Sequence, residues 1–228
     1  MKKHITLFQD LHNFAYKDAW EYQESLLQEI IQEKEQKIKP TKQHLLFCEH
    51  PHVYTLGKSG SENNLLINDA FLKKINATYH KSNRGGDITY HGPGQIVGYP
   101  IFNLQQMNIL LKKYIYKLEE AIIQTIAEYN IEGERLEGAT GVWLDSTKKG
   151  KARKICAMGV RVSRWVSMHG FALNANTDLD YFKHINPCGF TDKSVSSIKN
   201  ELGHSVDIEE VKNILKEKLS QEFNLQLV

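Results

Sequence analysis

A cysteine stands between a proline and a glycine in the stretch INPCGF, residues 185–190. Proline and glycine predict a turn, so Cys188 is the cysteine that we expect on an exposed loop. Cys48 ends the apolar run HLLFC and Cys156 lies in RKICAMGVRV, and both patterns favour buried strands. An exposed thiol can act as a nucleophile, but a small residue in a turn needs no chemistry at all. The residue types alone leave both interpretations open.

A lysine that could activate a thiol is Lys154, which begins the strand-like run KICAMGV after a basic stretch. An ammonium a few ångströms from a thiol stabilises the thiolate. A cysteine with a pKa of about 8.5 is only roughly 3% thiolate at pH 7, and lowering that pKa by about two units takes about 2.7 kcal/mol. Cys156 lies two residues away on the same strand face, whereas nothing in the spacing places Cys188 nearby. The two thiols compete, and exposure favours Cys188.

Glycines surround a histidine in RGGDITYHGPGQIVGYP, residues 84–100. Gly85 and Gly86 can let the backbone approach a ligand closely and present N–H groups to an oxygen. Arg84 and His91 add side-chain donors. The same pattern is also typical of a glycine-rich turn that leads into the next strand.

Three look-alikes of known binding motifs fail on specific residues. GPGQIVG is one residue too long for a dinucleotide fingerprint, and Pro93 removes an N–H that such a loop would use. HVYTLGKS has His52 where a phosphate loop requires its first glycine. CEHPH could place His50 and His52 on one strand face as zinc ligands, but Pro51 separates them and no second cluster matches. We expect no metal site.

Composition and charge are those of an ordinary globular protein. The chain has 228 residues with 41% hydrophobic and 25% charged residues, and its net charge of +2 gives no support for nucleic-acid binding. The apolar run near its N-terminus is too short for the hydrophobic region of a signal peptide. The uncharged stretch 92–111 contains glycine, proline and amide side chains, which exclude a membrane-spanning helix. The three cysteines form no C-x-x-C pair. We expect a cytoplasmic protein with no membrane partner.

The periodicity predicts three amphipathic helices, at about 17–36, 105–130 and 208–223, the last capped by Asp207. Two hairpins are predicted, one with its tip at 146–151 and one turning at 163–164. Strand-like runs cover 3–8, 43–48, 52–56, 76–81, 96–102, 140–144, 153–162 and 165–173. This order indicates an α/β or α+β fold around a mixed sheet with flanking helices, and we expect one domain over 1–228.

Several ordered motifs resemble one family over about residues 45–198. They are EHPHVYTLGKSG, RGGDITYHGPGQIVGYPIFNL, GVWL, KICAMGVRV, HGFALNANTDLDYFKHINPCG and SVSSI. The sequence is similar to the lipoyl(octanoyl) transferases, and the glycine-rich segment and P-C-G are the most specific parts of the match.

The resemblance implies a single catalytic domain of the biotin/lipoate protein ligase type. It also implies that Cys188 is the nucleophile and that Lys154 lowers its pKa, so Cys156 becomes a core residue. The substrate pocket that the resemblance implies is formed by Arg84, Gly85, Gly86, Asp87, Ile88, Thr89, Tyr90, His91, Ala157, Met158, Gly159, Gly170, Phe171 and Ala172.

The activity that the resemblance implies is octanoyl transfer from octanoyl-acyl carrier protein to a lysine of lipoyl domains, through an acyl-cysteine thioester. The acceptors would be the lipoyl domains of 2-oxoacid dehydrogenase complexes and the glycine cleavage H protein. Conversion of a thioester to an amide is downhill, so neither ATP nor another cofactor is expected.

Two alternatives remain open at this point. An ATP-dependent lipoate-protein ligase of the same fold would need no nucleophilic cysteine. The corresponding loop of such ligases has the pattern R-R-x-S-G-G-G, whereas this chain has Arg84-Gly85-Gly86-Asp87. A non-catalytic module that binds an acyl group or a carrier protein would share the pocket and leave Cys188 without a role. The roles of His91 and His169 and the oligomeric state do not follow from the sequence.

Overall fold

A computed structural model describes residues 3–186 and 193–228. Within these ranges the chain forms a nine-stranded mixed sheet with helices on both faces and a separate three-stranded sheet, which confirms the predicted fold class. The helices are α1 Tyr16–Glu35, α2 Asp69–Lys74, α3 Leu111–Ala127, α4 Ile198–Leu202 and α5 Ile208–Phe223, with 3-10 turns at Glu62–Asn64 and Leu179–His184. The strands are β1 His4–Asn13, β2 His44–Glu49, β3 Val53–Leu56, β4 Thr78–Lys81, β5 Ile88–His91, β6 Gln95–Ile101, β7 Glu134–Leu136, β8 Ala139–Leu144, β9 Arg153–Ser163, β10 Val166–Asn174, β11 Ser194–Val195 and β12 Leu225–Leu227.

The large sheet runs in the order β12-β1-β2-β6-β10-β9-β8-β7, and β11 also pairs with β9. The β1 strand is parallel to both neighbours, and β11 is parallel to β9, whereas the other pairs are antiparallel. The small sheet has the order β4-β3-β5. The antiparallel centre brings β6, β10 and β9 side by side, and these strands form one wall of the site described below.

Apolar stripes hold the helices on the two faces of the large sheet. Helix α1 buries Leu27 and Ile30 against one face, and helices α3 and α5 bury Leu118 and Leu215 against the other. Fully burying such a side chain contributes about 1.5–3 kcal/mol, so these stripes fix how each helix is rotated. The small sheet has its own apolar cluster, which includes Tyr54 and Tyr90.

The three long helices and both hairpins of the sequence prediction are confirmed, as is the cap of α5, where the Asp207 carboxylate accepts the Glu209 N–H at 2.9 Å. The hairpin of β9 and β10 turns at Arg164 and Trp165, which both have positive φ. Helix α3 begins at Leu111 instead of 105, because Asn108 takes a left-handed conformation with φ of 54° before the helix starts.

Short elements escaped the prediction. Strand β5 contains four residues within the glycine-rich stretch, and helix α2 has six, so neither shows enough periods to be recognised. Cys48 and Cys156 are fully buried, as predicted. No helix in the described ranges is both long and apolar enough to cross a membrane. The count of one domain stays a prediction.

Two histidines are buried beneath α1. The His50 Nδ1–H donates to the Phe14 carbonyl at 2.6 Å, and Nε2 lies 2.7 Å from the Tyr99 hydroxyl. Burial lowers the pKa of His50 to about 4. Burial, together with the charges of Arg84 and Arg161, lowers the pKa of His169 to about 3. Both rings are therefore neutral at pH 7.

These histidines should make the protein less stable as the pH falls from 7 to 5. The unfolded chain takes up a proton on each histidine below about pH 6.5, whereas the folded protein cannot until pH 4 or lower, so each one costs about 2 kcal/mol over this window. Urea unfolding at several pH values measures the loss. The His50→Gln variant should be less stable than the wild type at pH 7, but its free energy of unfolding should fall less on acidification.

His12→Gln is the matched control, since the His12 side chain is 79% exposed. A loss on acidification that is equal in His50→Gln and in the wild type would contradict the assignment.

Candidate active site

A cavity of about 850 Å³ lies between the small sheet and strands β9 and β10. This volume is within the range of small-molecule sites, about 300–1,000 Å³. Its walls bring together the three segments that were predicted to bind substrate, apart from Tyr90. They supply Arg84, Gly85, Gly86, Asp87, Ile88, Thr89, His91, Ala157, Met158, Gly159, Gly170, Phe171 and Ala172.

The structure does not bring Tyr90 to the cavity. Its hydroxyl lies 2.7 Å from His52 Nδ1, and its ring stacks on Tyr181 at a centroid distance of 4.9 Å in the core of the small sheet. Successive side chains of a strand point to opposite faces. On β5, Thr89 and His91 line the cavity, and Tyr90 between them lies on the other side.

The glycine-rich loop is held against the edge of β9. The Gly85 N–H donates to the Val160 carbonyl at 3.0 Å. A Cβ on Gly159 would lie 2.8 Å from the Gly85 carbonyl oxygen, so only glycine at 159 allows this approach. Arg84 is 7% exposed, and its Nε and Nη2 donate to Thr55 Oγ1 at 3.2 and 2.9 Å. The loop therefore places a buried guanidinium on the cavity wall.

Lys154 lines the same cavity from the start of β9. In the sheet it is paired with Trp143 of β8 and with Val195 of β11. Its Nζ donates to the Thr140 carbonyl at 3.2 Å and lies 4.6 Å from the centroid of the Trp143 ring. Both contacts suit an ammonium group, since a carbonyl oxygen accepts its hydrogens and the aromatic face attracts its charge.

Cys188 lies outside the described residues, so its distance from Lys154 stays a prediction. The described residues that precede and follow the segment 187–192 are Asn186 and Lys193, and both line the cavity. Cys156 is the other sequence candidate, and it is fully buried in the core. Burial raises the pKa of the Cys156 thiol, an effect that the nearby Lys154 charge only partly offsets. Cys156 is therefore a neutral core thiol.

Several cavity residues were not found by sequence reasoning. Strand β6 contributes Gln95, Val97 and Tyr99, which share one strand face and were recognisable as a set by their spacing of two. Helix α1 contributes Tyr16, and β10 contributes Asn174. Nothing in their local sequence distinguishes Tyr16 or Asn174 from other buried polar residues, so only the tertiary structure reveals them.

His91 and His169 also line the cavity, but they are held by different partners. His91 Nδ1 lies 2.8 Å from Gln95 Oε1, and His169 Nε2 lies 2.6 Å from Asn83 Oδ1. Burial, followed by the charges of His50 and Arg84, lowers the pKa of His91 well below its usual value. In the described ranges no three His, Cys, Asp or Glu side chains are grouped so that they could hold a metal ion, and His50 and His52 face different surroundings.

Comparisons with known proteins agree with this architecture. The family described as the lipoyl protein ligase A/B catalytic domain matches residues 15–220. An octanoyltransferase from Flavobacterium johnsoniae is 54% identical over 234 residues, covering 100% of both chains. Another from Cytophaga hutchinsonii is 51% identical over 229 residues, covering 97% of this chain and 93% of its own length.

A solved structure shares the fold at much lower identity. It is that of a bi-partite lipoate protein ligase and its E2 lipoyl domain from Thermoplasma acidophilum, with a TM-score of 0.70 and 14% identity over 100% of this chain and 86% of that one. This likeness supports the fold, and the relatives at more than half identity support the subgroup. The chain belongs to the lipoyl protein ligase A/B catalytic domain family and, within it, to the octanoyltransferases.

Proposed function

We propose that this chain is a single catalytic domain over 1–228 that transfers an octanoyl group from octanoyl-acyl carrier protein to a lysine of lipoyl domains, through a thioester on Cys188. The observation that carries the proposal is the shared cavity. Lys154 lines it together with the predicted binding segments, and so do Asn186 and Lys193 on either side of the segment that contains Cys188. Membership of the octanoyltransferases supports the choice of acyl group.

The octanoyl chain would bind among apolar side chains of the cavity that share one face of the large sheet, such as Met158, Val160 and Phe171. Each buried methylene contributes about 0.8 kcal/mol, which is roughly fourfold in binding. A chain that is two carbons shorter should therefore bind roughly fifteenfold more weakly. A longer chain must be excluded by the walls, where overpacking costs about 1–3 kcal/mol.

In the first step the Cys188 thiolate, stabilised by the Lys154 ammonium, attacks the thioester carbonyl of the donor. The bond between the carbonyl carbon and the phosphopantetheine sulfur breaks, and that sulfur leaves and takes up a proton. Backbone N–H groups would stabilise the oxyanion. The Gly85 N–H already donates to Val160, and Gly159 is paired with Gly170 of β10, so the Gly86 N–H is the candidate.

In the second step the acceptor amine attacks octanoyl-Cys188. The amide bond forms, the bond from the carbonyl carbon to Cys188 sulfur breaks, and the thiolate is regenerated. The proton of the amine passes to Lys154 if that residue is then neutral, or otherwise to water. Because a thioester is converted to an amide, the reaction needs no ATP.

The partners follow from this chemistry. The donor is octanoyl-acyl carrier protein, and the acceptors are lipoyl domains of 2-oxoacid dehydrogenase complexes and the glycine cleavage H protein. Since these are proteins of the cytoplasm in bacteria, we propose a cytoplasmic location for this chain.

Mixing the protein with octanoyl-acyl carrier protein, without acceptor, should add one octanoyl group to the chain. Intact-mass spectrometry measures the adduct, which should be absent from Cys188→Ser and Cys188→Ala because neither has the thiol. Cys48→Ala is the matched control and should keep the adduct, since Cys48 is fully buried. An equal adduct in the wild type and in Cys188→Ala would overturn the proposal.

A separate assay supplies octanoate and ATP without carrier protein. Modification of the lipoyl domain under these conditions would favour a ligase.

Lys154→Ala should slow the labelling of Cys188 by iodoacetamide much more at pH 7 than at pH 9. Without the ammonium the thiol pKa returns toward about 8.5, so most of the thiolate is lost at pH 7 but not at pH 9. Peptide mass spectrometry measures the labelled fraction, with Cys188→Ala as the blank. Lys149→Ala, in the exposed hairpin tip, is the charge-matched control. An equal slowing at both pH values would count against activation by Lys154.

A further inference from the structure

A chain of buried hydrogen bonds runs along one wall of the cavity. His91 Nδ1 lies 2.8 Å from Gln95 Oε1, Gln95 Nε2 lies 2.9 Å from Asn174 Oδ1, and Asn174 Nδ2 lies 2.9 Å from the Ser196 carbonyl oxygen. The four residues are 6%, 1%, 4% and 0% exposed, in that order. A buried polar network of this kind is costly unless each group has a partner, so its members constrain one another.

Two backbone carbonyls determine the direction of the chain. The Ser196 carbonyl can only accept, so the amide nitrogen of Asn174 must face it and Oδ1 must face Gln95. The Tyr90 carbonyl likewise accepts from Gln95 Nε2 at 3.2 Å, which leaves Gln95 Oε1 facing His91. Oε1 can only accept, so the ring hydrogen of His91 is on Nδ1. In the neutral ring Nε2 is then unprotonated.

The two ends of the chain reach two different parts of the site. His91 Nε2 lies 3.5 Å from Thr55 Oγ1, the atom that accepts two hydrogen bonds from Arg84. At the other end the Ser196 N–H donates to the Lys154 carbonyl at 2.9 Å. The chain therefore connects the loop that carries Arg84 with the strand that carries Lys154.

We propose that Gln95 and Asn174 are positioning residues for acyl transfer, which fix the tautomer of His91 with hydrogen on Nδ1 and hold β11 against β9 at Lys154. This inference rests on the proposed function for its effect on catalysis. A proton on Nε2 would remove the acceptor that faces Thr55 and would add a second positive charge near Arg84. The titratable groups that face His91 are Arg84, His50 and Tyr16, with His169 farther along the wall.

Gln95→Glu separates this role from a merely structural one. The carboxylate still accepts from Nδ1–H, but it cannot donate to Asn174, and its negative charge favours the imidazolium. Long-range nitrogen-15 NMR should show that Nε2 of His91 is unprotonated in the wild type from pH 5.5 to 8 and protonated in the Gln95→Glu variant at pH 6. His50, held in the same tautomer by the Phe14 carbonyl, is the reference in the same spectra.

The pH profile of octanoyl transfer gives the second readout. If His91 titrates near pH 7 in the Gln95→Glu variant, the kcat of that variant should fall about tenfold from pH 8 to pH 6 relative to the wild type.

Asn174→Asp loses the N–H that donates to the Ser196 carbonyl. It should lower kcat about tenfold to a hundredfold, as expected of a small misplacement, and should leave the KM for octanoyl-acyl carrier protein within about twofold of the wild-type value. Gln43→Glu is the control, because Gln43 is also a buried amide whose Oε1 accepts a backbone N–H, at 2.8 Å.

A hydrogen on Nε2 of His91 in the wild type would overturn the proposal, and so would Gln95→Glu and Asn174→Asp variants whose kcat and pH profiles match that of Gln43→Glu. Cooperative urea unfolding of each variant establishes that it folds. If the wild type transfers no octanoyl group, the proposed function fails, and the NMR measurement still decides whether the chain sets the tautomer.

Discussion

The cavity depends on a sheet edge that is left open and then covered by a loop. Strand β8 pairs with β9 only as far as Ala157, so the next carbonyls of β9 on that side have no strand partner there. The Gly85 N–H donates a hydrogen bond to the Val160 carbonyl at this edge, and the absence of a side chain at Gly159 lets the loop approach. This backbone hydrogen bond and the missing Cβ thus help to fix where the guanidinium of Arg84 lies relative to the strand that carries Lys154.

Burial separates the charged groups of the cavity from the neutral ones. Oxygen atoms and an aromatic face lie beside Arg84 and Lys154, and both kinds of contact favour a cation. His50, His91 and His169 lie nearby, and burial lowers the pKa of each of them, so these rings are neutral at pH 7. The same effect makes Cys156 inert although it is two residues from a lysine. Proximity along a strand is therefore not enough to activate a thiol, because the solvent exposure of the sulfur matters more.

The sequence predicts what local patterns determine. Apolar stripes identified the three long helices, and turn residues identified both hairpins, because these features repeat within a few residues. The resemblance to a known family also identified part of the cavity wall, namely Lys154 and the three predicted binding segments apart from Tyr90. The orientation of Tyr90 and the late start of α3 depend on backbone details that composition does not reveal. The contacts of Gln95 with Asn174, and of Asn174 with Ser196, span 79 and 22 positions, so no local signal could show them. The pairing of Lys154 with Cys188 falls outside the described residues and stays a prediction.

The arrangement of the wall strands also has a consequence for biosynthesis. The edge that holds the Arg84 loop belongs to β9, whose inner neighbour is β10, and β10 pairs in turn with β6. A polypeptide that is still emerging from the ribosome therefore cannot complete this pocket when its glycine-rich loop appears, and must wait until Asn174 and the residues after it have been made. Until then the loop and the small sheet lack the surface on which they rest, and contacts this far apart in sequence form slowly. Ligand recognition should be among the last properties that the newly made chain acquires.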